Sequence, residues 1–484
     1  MIRSSAIRNL AACCIVLTTV AHAQTTGLVP LNDLGTGTHE GFQGGLYPDG
    51  VNTPPAAHLA AALSKASEIV PRNAAGAPDP NGFVAMIAVG MSNTTHEFGA
   101  FERAQDANAA RNARVVLIDT GFGGQTATVL ADPTANYWTI MQQRISALGL
   151  TAAQVQVAWL KEAESHPADD FPVHAQGLRA NLELVANNLH DKFPNLKICY
   201  LSSRTYGGYS SAGTLNPEPQ AYESGFSVKW LVEDQINGDT GLNYGQLGGP
   251  VRAPLLMWGP YLWADGTNPR SDGLVWLLSD FESDRVHPSP AGEVKVAGLL
   301  ASFFASDVTA APWWPAQPGT TLVTVDATAD AHVSAASPAT NFGTSLLLLE
   351  QGGASPIHTH LRFDVPPTSG PIVRAKLSLR VNQSGGGRVS RVNDTTWSEL
   401  GITYASAPSI GSLVMQLPQS SRDGTIGADV TSSVISAGVG PLAFALTTTA
   451  AGQVDYHSRE AGQPPRLVLV VSSPQGPFLR PVRK

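Results

Sequence analysis

One break in patterning constrains this chain more than any other feature. Before the stretch Ala311-Pro312-Trp313-Trp314-Pro315-Ala316-Gln317-Pro318-Gly319, short apolar runs alternate with helical stretches. The runs at 83–89, 114–118, 154–160, 196–201 and 254–258 read as strands. Between and after them, 93–110, 137–148, 173–189 and 290–304 read as helices, the last capped by Ser289 with Pro290 at its first position. Strands that alternate with helices predict a parallel sheet covered on both faces. Beyond the break, helical periodicity nearly vanishes. The runs at 346–349, 359–365, 375–381, 442–446 and 466–470 alternate with period two between turn residues, which predicts an all-β sandwich. The expected division is therefore a leader at 1–23, an α/β domain at 24–310, a Pro-rich linker at 311–320, a β-sandwich at 321–472 and a tail at 473–484.

The leader is read from three features. Arg3 and Arg8 form a basic start, 10–20 is a short apolar run, and Ala21-His22-Ala23 precedes Gln24 as a small-residue cleavage pattern. A protein secreted or periplasmic after cleavage near Ala23 is expected; a lipidated cysteine at Cys13 is the rival reading. Of the three cysteines only Cys199 would then remain, in the apolar run Ile198-Cys199-Tyr200-Leu201, where it reads as a small buried residue. Lys+Arg is 30 against Asp+Glu 38, an acidic balance that argues against a nucleic-acid partner. No later segment is apolar for long enough to predict a membrane span.

Three strand ends of the first half carry chemistry. Gly90-Met91-Ser92-Asn93 follows the first strand and would lift a hydroxyl out of the C-terminal edge of the sheet, beside the N–H groups of a helix start. Phe122-Gly123-Gly124-Gln125-Thr126 follows the second and lets backbone approach a ligand. Asp284-Arg285-Val286-His287 precedes the last helix, with a carboxylate and an imidazole three residues apart. Taken singly, these read as a helix cap, a tight turn and a capping loop. Taken in order, they are the parts of a Ser-His-Asp nucleophile.

That ordered set resembles the SGNH (GDSL-type) hydrolases over roughly residues 80–305. The resemblance implies a flavodoxin-like three-layer α/β/α domain and a carboxylic ester hydrolase. Ser92 would be its nucleophile, with His287 and Asp284 as partners and the Ser92 and Gly124 amides as oxyanion donors. The family's asparagine after the third strand is missing: the chain there reads Trp159-Leu160-Lys161-Glu162-Ala163. Lys161 is taken as a substitute oxyanion donor, and Met91 stands where the family usually has Asp. Arg204 and Tyr206, after the fourth strand, are candidate substrate contacts. The aromatic residues Trp258, Tyr261 and Trp263 suit either sugar rings or a core.

The last third carries Asp330, Asn341-Phe342-Gly343, Trp397-Ser398-Glu399 and Ser458-Arg459-Glu460. It resembles the jelly-roll-like β-sandwich modules appended to polysaccharide-active enzymes and bacterial surface proteins, some of which bind alginate. Trp397 is expected in the core and Arg459 paired with Glu460. No metal site and no cofactor are assigned; His166, Asp169, Asp170 and His174, and His358 with His360, lack zinc spacing. Structural calcium in the β-domain is left open. The expected function is removal of acyl groups, above all O-acetyl, from a polysaccharide or oligosaccharide partner. The alternative is a non-catalytic carbohydrate-binding or cell-surface protein with a degenerate SGNH domain.

Overall fold

The computed structural model describes residues 25–210, 215, 217–245 and 248–473. The expected leader and nearly all of the tail lie outside the described residues. The first half is built on five parallel strands: β1 (Val84–Val89), β2 (Val115–Ile118), β3 (Val155–Leu160), β4 (Ile198–Leu201) and β5 (Leu255–Trp258). They lie in the order β2-β1-β3-β4-β5. Every residue of these strands is buried, so both faces of the sheet are covered.

The principal helices are α1 (Ala56–Ser67), α2 (Ser92–Asp106), α3 (Asn136–Ala147), α4 (Val173–Lys192), α5 (Gln220–Ile236) and α6 (Pro290–Ser306). Helix α2 packs on α6, and α4 on α5. Ser289 caps α6 by accepting from the Gly292 amide, with Pro290 opening the helix. Neither α1 nor α5 was expected. Helix α5 starts directly after Pro217-Glu218-Pro219, a run that reads as loop, yet proline is compatible with a helix start. No described helix is long and apolar enough to cross a membrane. Cys199 is fully buried, and burial pushes its thiol pKa far up.

The second half is all antiparallel. Its strands are β6 (Thr320–Asp326), β7 (Ala329–Ser334), β8 (Leu347–Glu350), β9 (Ile357–Val365), β10 (Ile372–Arg380), β11 (Ser384–Val392), β12 (Ile410–Ser421), β13 (Thr425–Asp429), β14 (Gly440–Thr447), β15 (Val454–His457) and β16 (Arg466–Ser472). They form the sheets β12-β11-β14-β9-β7 and β13-β10-β16-β6, with β8 and β15 as a separate ribbon. Alternate residues fill the space between the sheets. Leu361 lies opposite Phe444 and Phe363 opposite Leu442, and both pairs meet Leu377, Leu379, Leu467 and Leu469 in one apolar core.

The Pro-rich stretch is not a free linker. Trp313 and Trp314 are buried in the core of the first half. Trp314 stacks on Phe101 at 5.8 Å and lies 5.2 Å from Phe304. Asn112 holds both tryptophan carbonyls, donating its backbone N–H to Trp314 and its side-chain amide to Trp313. Tryptophan brings far more apolar surface than a solvated linker can leave exposed.

Candidate active site

The site forms where β1, β2 and β3 end. Gly90 has φ +151°, and a Cβ there would lie 2.1 Å from the Lys161 carbonyl oxygen, so only glycine fits. The Phe122 amide donates to the Gly90 carbonyl (2.9 Å), and the Lys161 amide to that of Val89 (3.0 Å). These bonds bring the three loops together. Ser92 opens α2, a helix of 15 residues, where first-turn N–H groups point outward with the positive end of the dipole.

The loop before α6 folds onto this edge. Asn93 donates to the Val286 carbonyl at 3.0 Å, tying α2 to the loop. Asp284 Oδ1 accepts from the Val286 amide at 2.9 Å and the His287 amide at 3.0 Å. Its Oδ2 lies 2.6 Å from His287 Nδ1, and His287 Nε2 lies 2.9 Å from Ser92 Oγ. Burial raises the Asp284 pKa, but the two amides and the imidazole outweigh it, leaving the carboxyl below its ordinary value. An ionised Asp284 accepts a hydrogen bond from Nδ1–H and so fixes that tautomer, which leaves the Nε2 lone pair to accept from the Ser92 hydroxyl. Sequence reasoning named Ser92, Asp284 and His287, and the structure brings all three together.

Beside them lies the glycine turn. A Cβ on Gly123 would sit 3.7 Å from the Ser92 Cβ, and Gly124, at φ +75°, borders open space. The expected oxyanion glycine, Gly124, is therefore exposed, and its neighbour Gly123 adjoins Ser92.

Lys161 is placed otherwise. Its ammonium has no exposed surface and is bound by both carboxylate oxygens of Glu97. Burial lowers its pKa to about 8, against the pull of Glu97. An ammonium committed to a buried carboxylate is not free to meet an ester carbonyl, so its expected oxyanion role is corrected to that of a core ion pair. Arg204 and Tyr206 are corrected likewise: they are 5% and 2% exposed, and Tyr206 packs on Tyr209 and Trp263. Trp258, Tyr261 and Trp263 are core residues as well.

The structure adds residues that sequence reasoning missed. His96 lies under the triad, its ring stacked on His287 at 5.3 Å between centroids. Burial, then repulsion from His287 in its protonated form and from Arg380 and Arg422, holds its pKa well below the ordinary value. The spacing of four from Ser92 on one helix was the available signal. The others come from the β-sandwich, through the turn between β12 and β13. Ser421 Oγ accepts from the Gly123 amide at 2.7 Å. Arg422 grips both oxygens of Glu282 and reaches Asp423 at 2.9 Å. Asp423 lies 3.9 Å from His96 Nε2. No sequence signal links residues so far apart along the chain.

Among the described residues, His96 with Glu282 and Asp423, and Asp330 with Glu399 and Glu460, lie close enough to share an ion. In each cluster a guanidinium already sits on a carboxylate: Arg422 on Glu282 and Asp423, and Arg459 on Glu399 at 2.8 Å. Arg459 thus pairs with Glu399, not with its neighbour Glu460 as expected, because it reaches across to the loop bearing Trp397. Trp397 is buried as expected.

No curated protein sequence matches the chain. Among solved structures, the YXIM protein of Bacillus subtilis aligns over 46% of this chain and 56% of its own, at 11% identity and a TM-score of 0.25. This chain thus spans little more than half of that protein. The signal recognition particle receptor SRb with GDP and Mg, from Chaetomium thermophilum, aligns over 45% of this chain and 97% of its own, at 11% identity and a TM-score of 0.21. Neither likeness is close enough to bear on function. The β-sandwich is different: residues 321–471 match the profile of Carbohydrate-binding module family 96. The last third of the chain is accordingly similar to a carbohydrate-binding module, a likeness that points to a carbohydrate-related function.

Proposed function

We propose that the chain is an exported serine esterase that removes acyl groups, most simply O-acetyl, from a polysaccharide or oligosaccharide. The observation that carries this reading is the hydrogen-bonded line Asp284–His287–Ser92, at 2.6 and 2.9 Å, on the open edge of the sheet. The strand order β2-β1-β3-β4-β5 is that of flavodoxin-like sheets, in agreement with the resemblance to SGNH hydrolases. Ser92 Oγ attacks the ester carbonyl carbon while His287 Nε2 takes its proton. The tetrahedral oxyanion is met by the Ser92 and Gly124 amides. Collapse expels the sugar hydroxyl, which leaves with the proton from His287, and an acyl-Ser92 ester remains. Water, deprotonated by His287, then releases the acid and restores Ser92. The likeness of residues 321–471 to Carbohydrate-binding module family 96 supports the substrate class.

A second reading is a carbohydrate-binding protein without hydrolysis. Two observations favour it. No asparagine follows β3, and Lys161 is committed to Glu97. The experiment that separates them is hydrolysis of 4-nitrophenyl acetate by the native protein and its Ser92→Ala variant. The esterase reading expects turnover that falls by about a thousandfold or more in the variant. Folded native protein without turnover overturns it in favour of the second reading.

A further inference from the structure

Helix α3 and strand β12 leave a groove of about 1020 Å³ between the two halves of the molecule. One wall comes from the carbohydrate-binding module, the other from the domain that carries Ser92. Its polar lining includes Thr139, Gln142 and Gln143 on α3, Gln416 and Gln419 on β12, and Lys192 at the end of α4. Of these, Thr139, Gln143, Gln416 and Gln419 are exposed. No carboxylate lines the groove among the described residues, although the chain as a whole is acidic. Amides and hydroxyls both donate and accept, which matches a polymer of hydroxyl groups and ring oxygens.

The groove leads to the triad. At its Gln419 end the backbone carbonyl accepts from Arg144 Nε at 3.0 Å. Arg144 also donates to the carbonyls of Asp119 and Gly121 at 3.1 and 2.8 Å, and stacks on Phe122. Two residues beyond Gln419, Ser421 accepts from Gly123, and Gly123 adjoins Ser92. Two residues of strand span roughly 7 Å, so the wall and the glycine turn are continuous.

We infer that this groove between α3 and β12 is a subsite for the chain of the acylated polysaccharide, holding hydroxyl-rich residues on one side of the ester presented to Ser92. The inference rests on the esterase reading for the direction of the chain, but its binding component stands apart from catalysis. Two full-length variants test it. Gln143→Ala with Gln416→Ala removes amide partners. Ser146→Trp, at an exposed α3 position lining the same groove, fills it. Neither touches the triad, the glycine turn or the residues that hold them.

The probes are acetylated xylan, acetylated glucomannan and acetylated alginate. In affinity electrophoresis the Ser92→Ala protein should be retarded by at least one of them, and retardation should weaken about tenfold when either groove change is added, as expected for two lost hydrogen bonds. In the active protein, KM on that polymer should rise by a similar factor while kcat/KM for 4-nitrophenyl acetate stays within about twofold. Unchanged retardation and unchanged KM in both variants overturn the subsite. Absent 4-nitrophenyl acetate turnover in native protein overturns the esterase reading instead, and the electrophoresis still decides the groove.

Discussion

Asp284 is the least sheltered member of the triad, with its side chain 42% exposed, yet it is held by three N–H groups within a four-residue loop. Local hydrogen bonds, not burial, orient His287. This is why the Asp-x-x-His spacing is legible in sequence: the geometry that matters is closed inside the loop. Lys161 shows the opposite case. Its type suggested an oxyanion donor, but whether a lysine faces solvent or Glu97 depends on the helix packed above it. Asp330 gives a prediction at the same scale. Burial, then Glu460 and Glu399, raise its pKa from the ordinary 3.8 to about 7, against the Arg459 amide. A raised folded-state pKa means that the native protein holds the proton longer than the unfolded chain, so this group's contribution to stability declines as pH rises from about 4 through 7. Asp330→Asn, which keeps an acceptor for the Arg459 amide, should therefore be more stabilising at pH 8 than at pH 5. Melting temperatures measured at the two pH values check this, and an equal effect at both would refute it.

Among elements, the turn between β12 and β13 joins the halves beside the triad. Thr425 donates its amide to Asp119 at 3.1 Å, and a Cβ on Gly424 would lie within 3.1 Å of Ser420, Thr95 and Asp119 side-chain atoms. The turn is thus seated between α2 and the end of β2, and Ser421 holds the Gly123 amide. Ser421→Ala leaves that amide without its acceptor and loosens the glycine turn. We expect kcat on 4-nitrophenyl acetate to fall about tenfold with little change in KM, and Ser421→Thr to restore most of it. An unchanged kcat in Ser421→Ala would mean that the turn is a spacer only. The five parallel strands lie within two residues of their predicted bounds, since all-apolar runs follow from burial on both faces; in the sandwich β10 starts three residues before the run read at 375–381, and β6, β7, β11, β12, β13 and β15 were not read individually. Helix α5 was not, because the prolines at its start mask it.

At the scale of the molecule, the module is not a tethered accessory. Lys376 of β10 reaches Glu102 at 2.9 Å and also bonds Asp106, with all three side chains at most 4% exposed. Arg380 grips Glu293 of α6 at 2.6 Å, and Arg374 bonds the Leu148 carbonyl. Buried ion pairs of this kind are costly to break from one side. Lys376→Met would leave Glu102 without its cation and Asp106 with Arg111 alone, and should destabilise the protein by about 3–5 kcal/mol in urea unfolding. Adding Glu102→Gln and Asp106→Asn should recover part of that loss; no recovery would show that packing, not charge, dominates the contact.

The amino-acid sequence by itself determined the two architectures and the strand ends that carry Ser92, Gly124, Asp284 and His287. Each of these depends on residue type and on spacing within one short segment. The tertiary structure alone decided that Lys161, Arg204 and Tyr206 are interior, that Trp313 and Trp314 seal a core instead of linking two domains, and that His96, Ser421, Arg422 and Asp423 gather around the triad. Those placements depend on which surfaces meet when the halves dock. Docking joins residues hundreds of positions apart through buried charges whose partners no local pattern specifies.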